Sequence, residues 1–403
     1  MFILKRLCFT LFLMCCNMAY AYAAPIMIAS CAQLKGISPH SQAHYQLSNN
    51  IECKGVEFFP IGPFSGTLEG NGYTIANLTV QKNTEPNAGL FTTLGSATVT
   101  AMIKNIHFVN AKVIGADDTH RGLIAGGAYN ADISNITVDK LKIESGGDKP
   151  RSAASGGLLG VAENTTLFNI HLFNGIHINK NQYAGGLIGI AKENTVIEQS
   201  TVIKLSSGGF DCGSGKTCAF GGLIGFVDNN SAEEKVTINQ SSATGEIYTK
   251  KNAGGLIGLV QATASLDISN SYAIVTVSNK CNSDGGCLAK YAGGLIGRAE
   301  NNDVGVSGII NLQYVYAAGE IAVFSETGGK GVVGGDHNSP ATRVIAYESY
   351  FDTEATAHHH SGDRGSIGLN TKQMHNADYF QGWNSAIWTI RSGQYPRLIH
   401  TQP

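Results

Sequence analysis

A five-residue phrase returns along this chain at intervals near 35 residues, and it constrains the fold more than any other feature. Gly156-Gly157-Leu158-Leu159-Gly160, Gly185-Gly186-Leu187-Ile188-Gly189 and Gly221-Gly222-Leu223-Ile224-Gly225 are near copies of one another. Two more stand at Gly254-Gly255-Leu256-Ile257-Gly258 and Gly293-Gly294-Leu295-Ile296-Gly297. Weaker versions occur at Ala88-Gly89-Leu90-Phe91, Arg121-Gly122-Leu123-Ile124 and Gly331-Val332-Val333-Gly334. Counted from the glycine before the first aliphatic residue, the copies are 33, 35, 29, 36, 33, 39 and 37 residues apart. A near-constant period of this size marks a solenoid or a propeller. Between pentads lie polar turns and then β-branched runs, such as Thr195 to Ile203, Lys235 to Ser241 and Leu266 to Val277. Such runs, bounded by Asn, Ser and Gly, are strands. No unit holds an apolar stripe at helical spacing long enough for a helix. A propeller blade needs four strands in about 40–50 residues. Two or three short strands per unit predict instead an all-β fold, a right-handed parallel β-helix (solenoid) with N- and C-terminal caps.

The composition agrees. The 403 residues include 50 glycines, and only 14% are charged, against averages of about 7% glycine and ~25% charge. Glycine is expected at the sharp corners of the coil, where φ > 0 is free of a Cβ clash. Asn130, Asn164, Asn194, Asn229 and Asn302 follow pentads at similar offsets and are predicted turn residues. Strict alternation puts Leu187, Gly189 and Ala191 on one face of their strand and Ile188 and Ile190 on the other. Arg298 occupies the position of Ile190 in a later copy, so that second face is expected outward. An exposed ladder of Ile188, Ile224, Ile257 and Ile296 would result, unless another segment covers it or a bulge at the last glycine resets the alternation. The formal net charge of -2 argues against a nucleic-acid binder.

Residues 1–23 read as a signal peptide: Lys5 and Arg6, an apolar stretch from Leu7 to Met14, and Ala21-Tyr22-Ala23 as the cleavage site. Its removal leaves 26 basic residues against 30 acidic ones. No later stretch approaches a membrane span, so the exported chain is expected outside the cytoplasm, periplasmic or extracellular, with no membrane span after cleavage. Six cysteines remain: Cys31, Cys53, Cys212, Cys218, Cys281 and Cys287. Closure along the chain suggests Cys31–Cys53, Cys212–Cys218 and Cys281–Cys287 as disulfides. No histidine stands near the C-x5-C pairs, which disfavours zinc. Residues 24–86 are the expected N-terminal cap, 87–340 the repeats and 341–403 the C-terminal cap.

The pentads resemble the GLUG motif of bacterial exported and surface proteins. The likeness extends to Pro60-Ile61-Gly62, to Phe64 through Ile75 with Asn77-Leu78, and to Ser349-Tyr350-Phe351-Asp352-Thr353-Glu354. Gly368 to Met374, Gly382-Trp383, Ile387 to Ile390 and Tyr395 to Leu398 belong to the same pattern. That motif is found in haemagglutinin-like and adhesin-like proteins and beside some immunoglobulin A-cleaving metallopeptidases. The resemblance implies a β-helix and no single activity.

Chemistry is sparse. There is no H-E-x-x-H, G-x-S-x-G, P-loop or EF-hand loop, and no cofactor, metal site or catalytic residue is assigned. His358-His359-His360 reads as a polar loop, because consecutive residues on an extended segment alternate sides. Trp383 and Trp388 read as buried cap aromatics, with a sugar-stacking site as the sharper alternative. Insertions collect before the pentads, at Glu144 to Ser155, Ser206 to Phe220 and Ser278 to Ala292. They place Lys149, Arg151, Lys180, Lys216, Lys250, Lys251, Lys280 and Lys290 along one edge, with Tyr183, Tyr248 and Tyr291 among them. A basic, aromatic edge on an acidic chain predicts capture of an anionic partner, such as a host or bacterial surface glycan. The leading expectation is a non-enzymatic, adhesin-like binding protein. The alternative is a carbohydrate-active β-helix enzyme, for which Asp228, Glu233 and Glu234 are loop candidates.

Overall fold

A computed structural model describes residues 24–81, 86–116, 118–145, 153–178, 182–207, 217–229, 233–249, 251–277, 289–300, 308–323, 328–335 and 343–401. One coil shows how the sequence becomes structure. The strand Tyr183–Gly185 ends in the pentad, Gly186 and Leu187 make a corner, and Ile188–Ala191 leaves in a new direction. After a polar turn, Val196–Glu198 and Thr201–Ser207 complete the circuit, with Gln199 and Ser200 between them. Each of these strands pairs in parallel with its counterpart one coil later, at Ala219–Gly221, Ile224–Val227, Lys235–Asn239 and Ser242–Ile247. The chain is a parallel β-solenoid.

The pentad arithmetic maps onto this architecture one for one. An 8-stranded parallel sheet contains one short strand for each of the eight pentad copies, from Asn87–Ala88 to Gly329–Lys330. The remaining solenoid strands form a 25-stranded sheet that wraps the other faces. The corner itself is also stacked. Leu158 N–H donates to Leu187 O at 2.9 Å, Leu187 to Leu223 at 2.9 Å, Leu223 to Leu256 at 2.8 Å and Leu256 to Leu295 at 2.9 Å.

The corner corrects one expectation and decides another that alternation had left open. None of the pentad glycines has positive φ. They are needed for close approach instead: a methyl at Gly222 would lie 2.0 Å from the carbonyl oxygen of Gly255, and one at Gly255 would lie 2.0 Å from that of Gly294. The isoleucine ladder is also not exposed. Leu187 and Ile188 lie on either side of the corner and both point into the core, as do their equivalents, all fully buried. Alternation breaks again beyond it, because Ile188 and Ala191 both line the core while Ile190 joins a small outer cluster.

Left-handed backbone falls to asparagine. Asn130, Asn164 and Asn194 have φ of 63, 46 and 51°. Two further corner columns are also left-handed: Asn105, Asn135 and Asn169 continue through Gln199, Gln240 and Asn270, and Asn77 and Asn110 continue to Lys140. Asn is the non-glycine residue that accepts this region most readily. Asn229 is not among the left-handed residues; it is buried and its amide donates to Glu234 O. Asn302 lies outside the described residues.

The core runs along the coil axis as stacked aliphatic columns. Ile133, Leu167, Ile197, Ile238, Ile268 and Leu312 occupy one such column in continuous register. None exceeds 1% exposure, and full burial of each is worth roughly 1.5–3 kcal/mol.

At the N-terminal end, Ile26–Ile28 pairs with His44–Leu47. Between them Ser30 caps a short helix, Cys31–Lys35, accepting from Gln33 N–H at 3.2 Å. Cys31 is bonded to Cys53. Pro60 and Pro63 flank Ile61, which bridges Phe91. Neither proline can donate to the ladder, and the corner is covered instead by residues 40–41: Pro63 O accepts from His40 N–H, and Ser65 N–H donates to Ser41 O at 3.0 Å. At the other end, Ser361 O accepts from Val332 and Val333 N–H at 3.0 and 2.8 Å, closing the last pentad corner. The strand Ile367–Leu369 then pairs with Tyr350–Asp352 as the final rung.

Candidate binding surfaces

The predicted basic edge is partly placed. Lys149, Arg151, Lys180, Lys216, Lys250 and Lys280 lie outside the described residues, whereas Tyr183, Lys251, Lys290 and Tyr291 are described. Tyr183 and Tyr291 share one column of the 8-stranded sheet, three rungs apart: Tyr183 pairs with Ala219, Ala219 with Asn252 and Asn252 with Tyr291. At about 4.8 Å per rung their backbones are about 14 Å apart. The neighbouring outward column is Val161, Ile190, Phe226, Leu259 and Arg298. Two aromatic stations result. Tyr183 stacks on Phe226 at 4.6 Å, and its hydroxyl accepts from Gln182 Nε2 at 3.0 Å. Burial pushes its phenol up. At the second station Lys290 Nζ lies 4.9 Å and the Arg298 guanidinium 4.7 Å from the Tyr291 ring centre. Such cation–π contacts contribute on the order of 0.5–1 kcal/mol each at exposed sites. Arg298 also reaches Glu300 at 3.6 Å. Tyr248 turns to a neighbouring carboxylate: its hydroxyl donates to Glu246, which pushes the phenol up to about 12.

The structure adds an acidic counterpart that the sequence did not disclose. Glu193, in the turn after its pentad, hydrogen-bonds Glu234 of the next coil, which raises its carboxyl above the ordinary range. Burial and the nearby Glu234 and Glu163 charges raise it further. Residues 41 apart in sequence meet because the coils stack, so only knowledge of the register could have paired them.

A third surface runs along the 25-stranded sheet. Thr74, His107, Thr137, His171, Thr201 and Ser242 stand in one outward column. The column continues through Tyr272, Tyr316 and Tyr350. The two halves are treated differently. The C-terminal segment, with its helix Thr371–Met374 and antiparallel pair Trp388–Thr389 and Arg397–Leu398, packs against the tyrosines. Trp383 and Trp388 are only 5% and 2% exposed, so neither indole offers a face to a sugar. Tyr316 OH donates to Pro396 O at 2.7 Å, and Trp388 Nε1 to Asn270 Oδ1 at 3.4 Å. Asp352, fully buried, holds the segment's root by accepting from Tyr395 OH at 2.6 Å and Thr371 Oγ1 at 3.0 Å.

His358, from the histidine cluster, reaches Ile321 O at 3.1 Å, and no group of three His, Cys, Asp or Glu side chains among the described residues could hold a metal ion. Cys218 is disulfide-bonded; Cys212, Cys281 and Cys287 lie outside the described residues. No helix among the described residues is long and apolar enough to cross a membrane.

These features define a parallel β-solenoid repeat protein with a laterally docked C-terminal segment. No family model matches the chain. It is similar to halomucin of Haloquadratum walsbyi, 35% identical over 108 residues, which are 24% of this chain and 1% of halomucin. The chain therefore spans about 1% of the length of that curated relative. Among solved structures it is similar to a putative immunoglobulin A1 protease from Bacteroides ovatus, with a TM-score of 0.47 and 16% identity over 94% of this chain and 93% of that one.

Proposed function

We propose that this is an exported, non-enzymatic binding protein of adhesin-like type that captures an anionic surface glycan along its basic loop edge. The observation that carries the reading is the Tyr291 station, where Lys290 and Arg298 converge on one ring with Lys251 on the preceding rung. Tyr291 is only 6% exposed, so its ring holds the two cations in place, and cations so fixed suit a polymer that bears carboxylate or sulfate groups. The likeness of the pentads to the GLUG motif supports the class, and the disulfides support export, since such bonds persist in oxidising compartments. Binding to heparin or alginate resins at low salt is the expected result, with affinity falling as salt rises. A Lys251→Glu/Lys290→Glu/Arg298→Glu variant is expected to elute far earlier, with a melting temperature lowered only by the loss of the two cation–π contacts and of the Arg298–Glu300 pair. Retention unchanged by the three substitutions would sink the proposal.

One observation favours a second reading. Glu193, its carboxyl raised by the hydrogen bond to Glu234, is the kind of proton donor that general-acid cleavage of a glycoside needs, although the two carboxyls are closer than the ~5 Å or more between the members of a glycosidase pair. Release of reducing ends from a polysaccharide panel, lost in Glu193→Gln and Glu234→Gln, would establish it in place of simple binding.

A further inference from the structure

The outward column of the 25-stranded sheet is already a binding groove along half its length. Its tyrosine half holds the chain's own C-terminal segment through two kinds of position. A left-handed corner residue, Asn270, accepts from the Trp388 indole, and a column residue, Tyr316, donates to a main-chain oxygen. The other half presents the same two kinds of position without an occupant. Its corners are Asn105, Asn135 and Asn169, and its column residues are His107, Thr137 and His171. A groove of about 440 Å³ lies there, lined among others by Asn105, His107, Asn135 and Thr137.

We infer that this open half binds a strand of an uncharged polysaccharide. The chemistry of the lining selects the ligand. Asn135 Nδ2 donates to Asn105 Oδ1 at 2.8 Å, and Asn169 Nδ2 to Asn135 Oδ1 at 2.8 Å. A primary amide has two N–H groups and two lone pairs, so Asn135 and Asn169 each have a second donor and a second acceptor for a ligand, whereas Asn105 turns its Nδ2 to the Glu69 carboxylate. The His171 ring is fixed by its Nε2 against Asn169 Oδ1 at 2.8 Å, and burial lowers its pKa, disfavouring the charged form. The one carboxylate of the groove, Glu69, is engaged by Asn105 Nδ2 at 2.9 and 3.1 Å and by Lys104 at 3.5 Å. Alternating donors and acceptors without net charge match the vicinal hydroxyls of a neutral sugar. Because the rungs repeat every ~4.8 Å, an extended polymer meets the same groups again and again. A peptide like the chain's own tail is less suited, because this half lacks the tyrosines that receive the two tryptophans.

The inference is independent of the basic edge, and salt separates the two. Affinity electrophoresis and calorimetry of the full chain with dextran, laminarin, hydroxyethylcellulose and soluble mannan test it. Binding of at least one polymer is expected, unchanged between low and high salt. Thr137→Trp, which fills the groove, is expected to abolish it, and His171→Ala to raise Kd roughly tenfold or more. Melting curves verify that both variants fold, and Lys290→Glu is expected to bind like the wild type. Three results would each overturn the inference: no binding to any of these polymers, binding unaffected by both groove substitutions, or binding of a synthetic peptide of residues 384–398 in their place.

Discussion

At the scale of single residues, the commonest amino acid here was the easiest to misjudge. Glycine abundance pointed to corners, but positive φ is only one reason to exclude a Cβ. The pentad glycines answer to the other, contact between stacked backbones. Gly222→Ala places a methyl 2.0 Å from Gly255 O, and strain of this kind costs about 3 kcal/mol. The expected outcome is a clear fall in the urea midpoint, whereas Gly55→Ala, in open space at φ 77°, should lose less. Asparagine was read correctly at Asn130, Asn164 and Asn194 because its tolerance of left-handed backbone is local and visible in sequence. Its stacking was not. Asn110 donates to Asn77, and Asn77 to the Glu52 carboxylate, as Asn135 and Asn105 do toward Glu69. Each ladder thus ends on a carboxylate that lies at the N-terminal side, and the Asn77 hydrogen bonds hold Glu52 below its usual range. A depressed carboxyl contributes above its unfolded pKa and loses that contribution as pH falls through its folded one. Glu193 has the opposite sign: raised by Glu234, it weakens the fold once both are ionised. Glu193→Gln is expected to raise the melting temperature at pH 7 and to leave it unchanged at pH 3.

At the scale of the element, the repeating unit is a rung closed by side chains as well as by strands. Ser200, Ser241 and Ser271 follow left-handed residues. Each Oγ accepts a backbone N–H from the preceding coil at 3.1–3.2 Å and donates to the carbonyl two residues back. The phrase polar-Ser-aromatic or polar-Ser-hydroxyl recurs visibly in Gln199-Ser200-Thr201 and Asn270-Ser271-Tyr272, so it was available to a sequence reading. Arg343 was not. Its guanidinium and Nε donate to Glu300 O, Ala264 O, Gly308 O and Gln261 O at 2.6–2.8 Å, joining three coils at a corner. Burial brings it down to about 10. Arg343→Met strands those carbonyls, and a loss of about 3 kcal/mol or more is expected from chemical denaturation. The alternation rule failed at the pentad for a related reason: a corner between two strands admits consecutive inward residues, Leu187 and Ile188, which no period of two describes.

At the scale of the molecule, the repeat period together with two or three short β-branched runs per unit was enough to distinguish the solenoid from a propeller, because each pentad then had to occupy the same place on every turn. The ends required more. The Cys31–Cys53 bond, over a separation of 22 residues, constrains the unfolded chain by about 3 kcal/mol. Cys53→Ser should lower the melting temperature and raise proteolysis at the N-terminal end first. The C-terminal segment was legible as aromatic and buried, but not as lateral, since nothing local says that Trp388 meets a residue 118 positions away. Trp388→Ala is expected to cost about 3–5 kcal/mol and to raise the fluorescence of dyes that bind exposed apolar surface. That lateral docking has a mechanical consequence. A pull on the C-terminus of a bare solenoid would peel the last rung like a zipper, a few bonds at a time. Here the load first meets an antiparallel pair and two indoles lying across Tyr272, Tyr316 and Tyr350, so three rungs are loaded together in shear. Traction at this end is therefore shared by three rungs instead of falling on the last one alone.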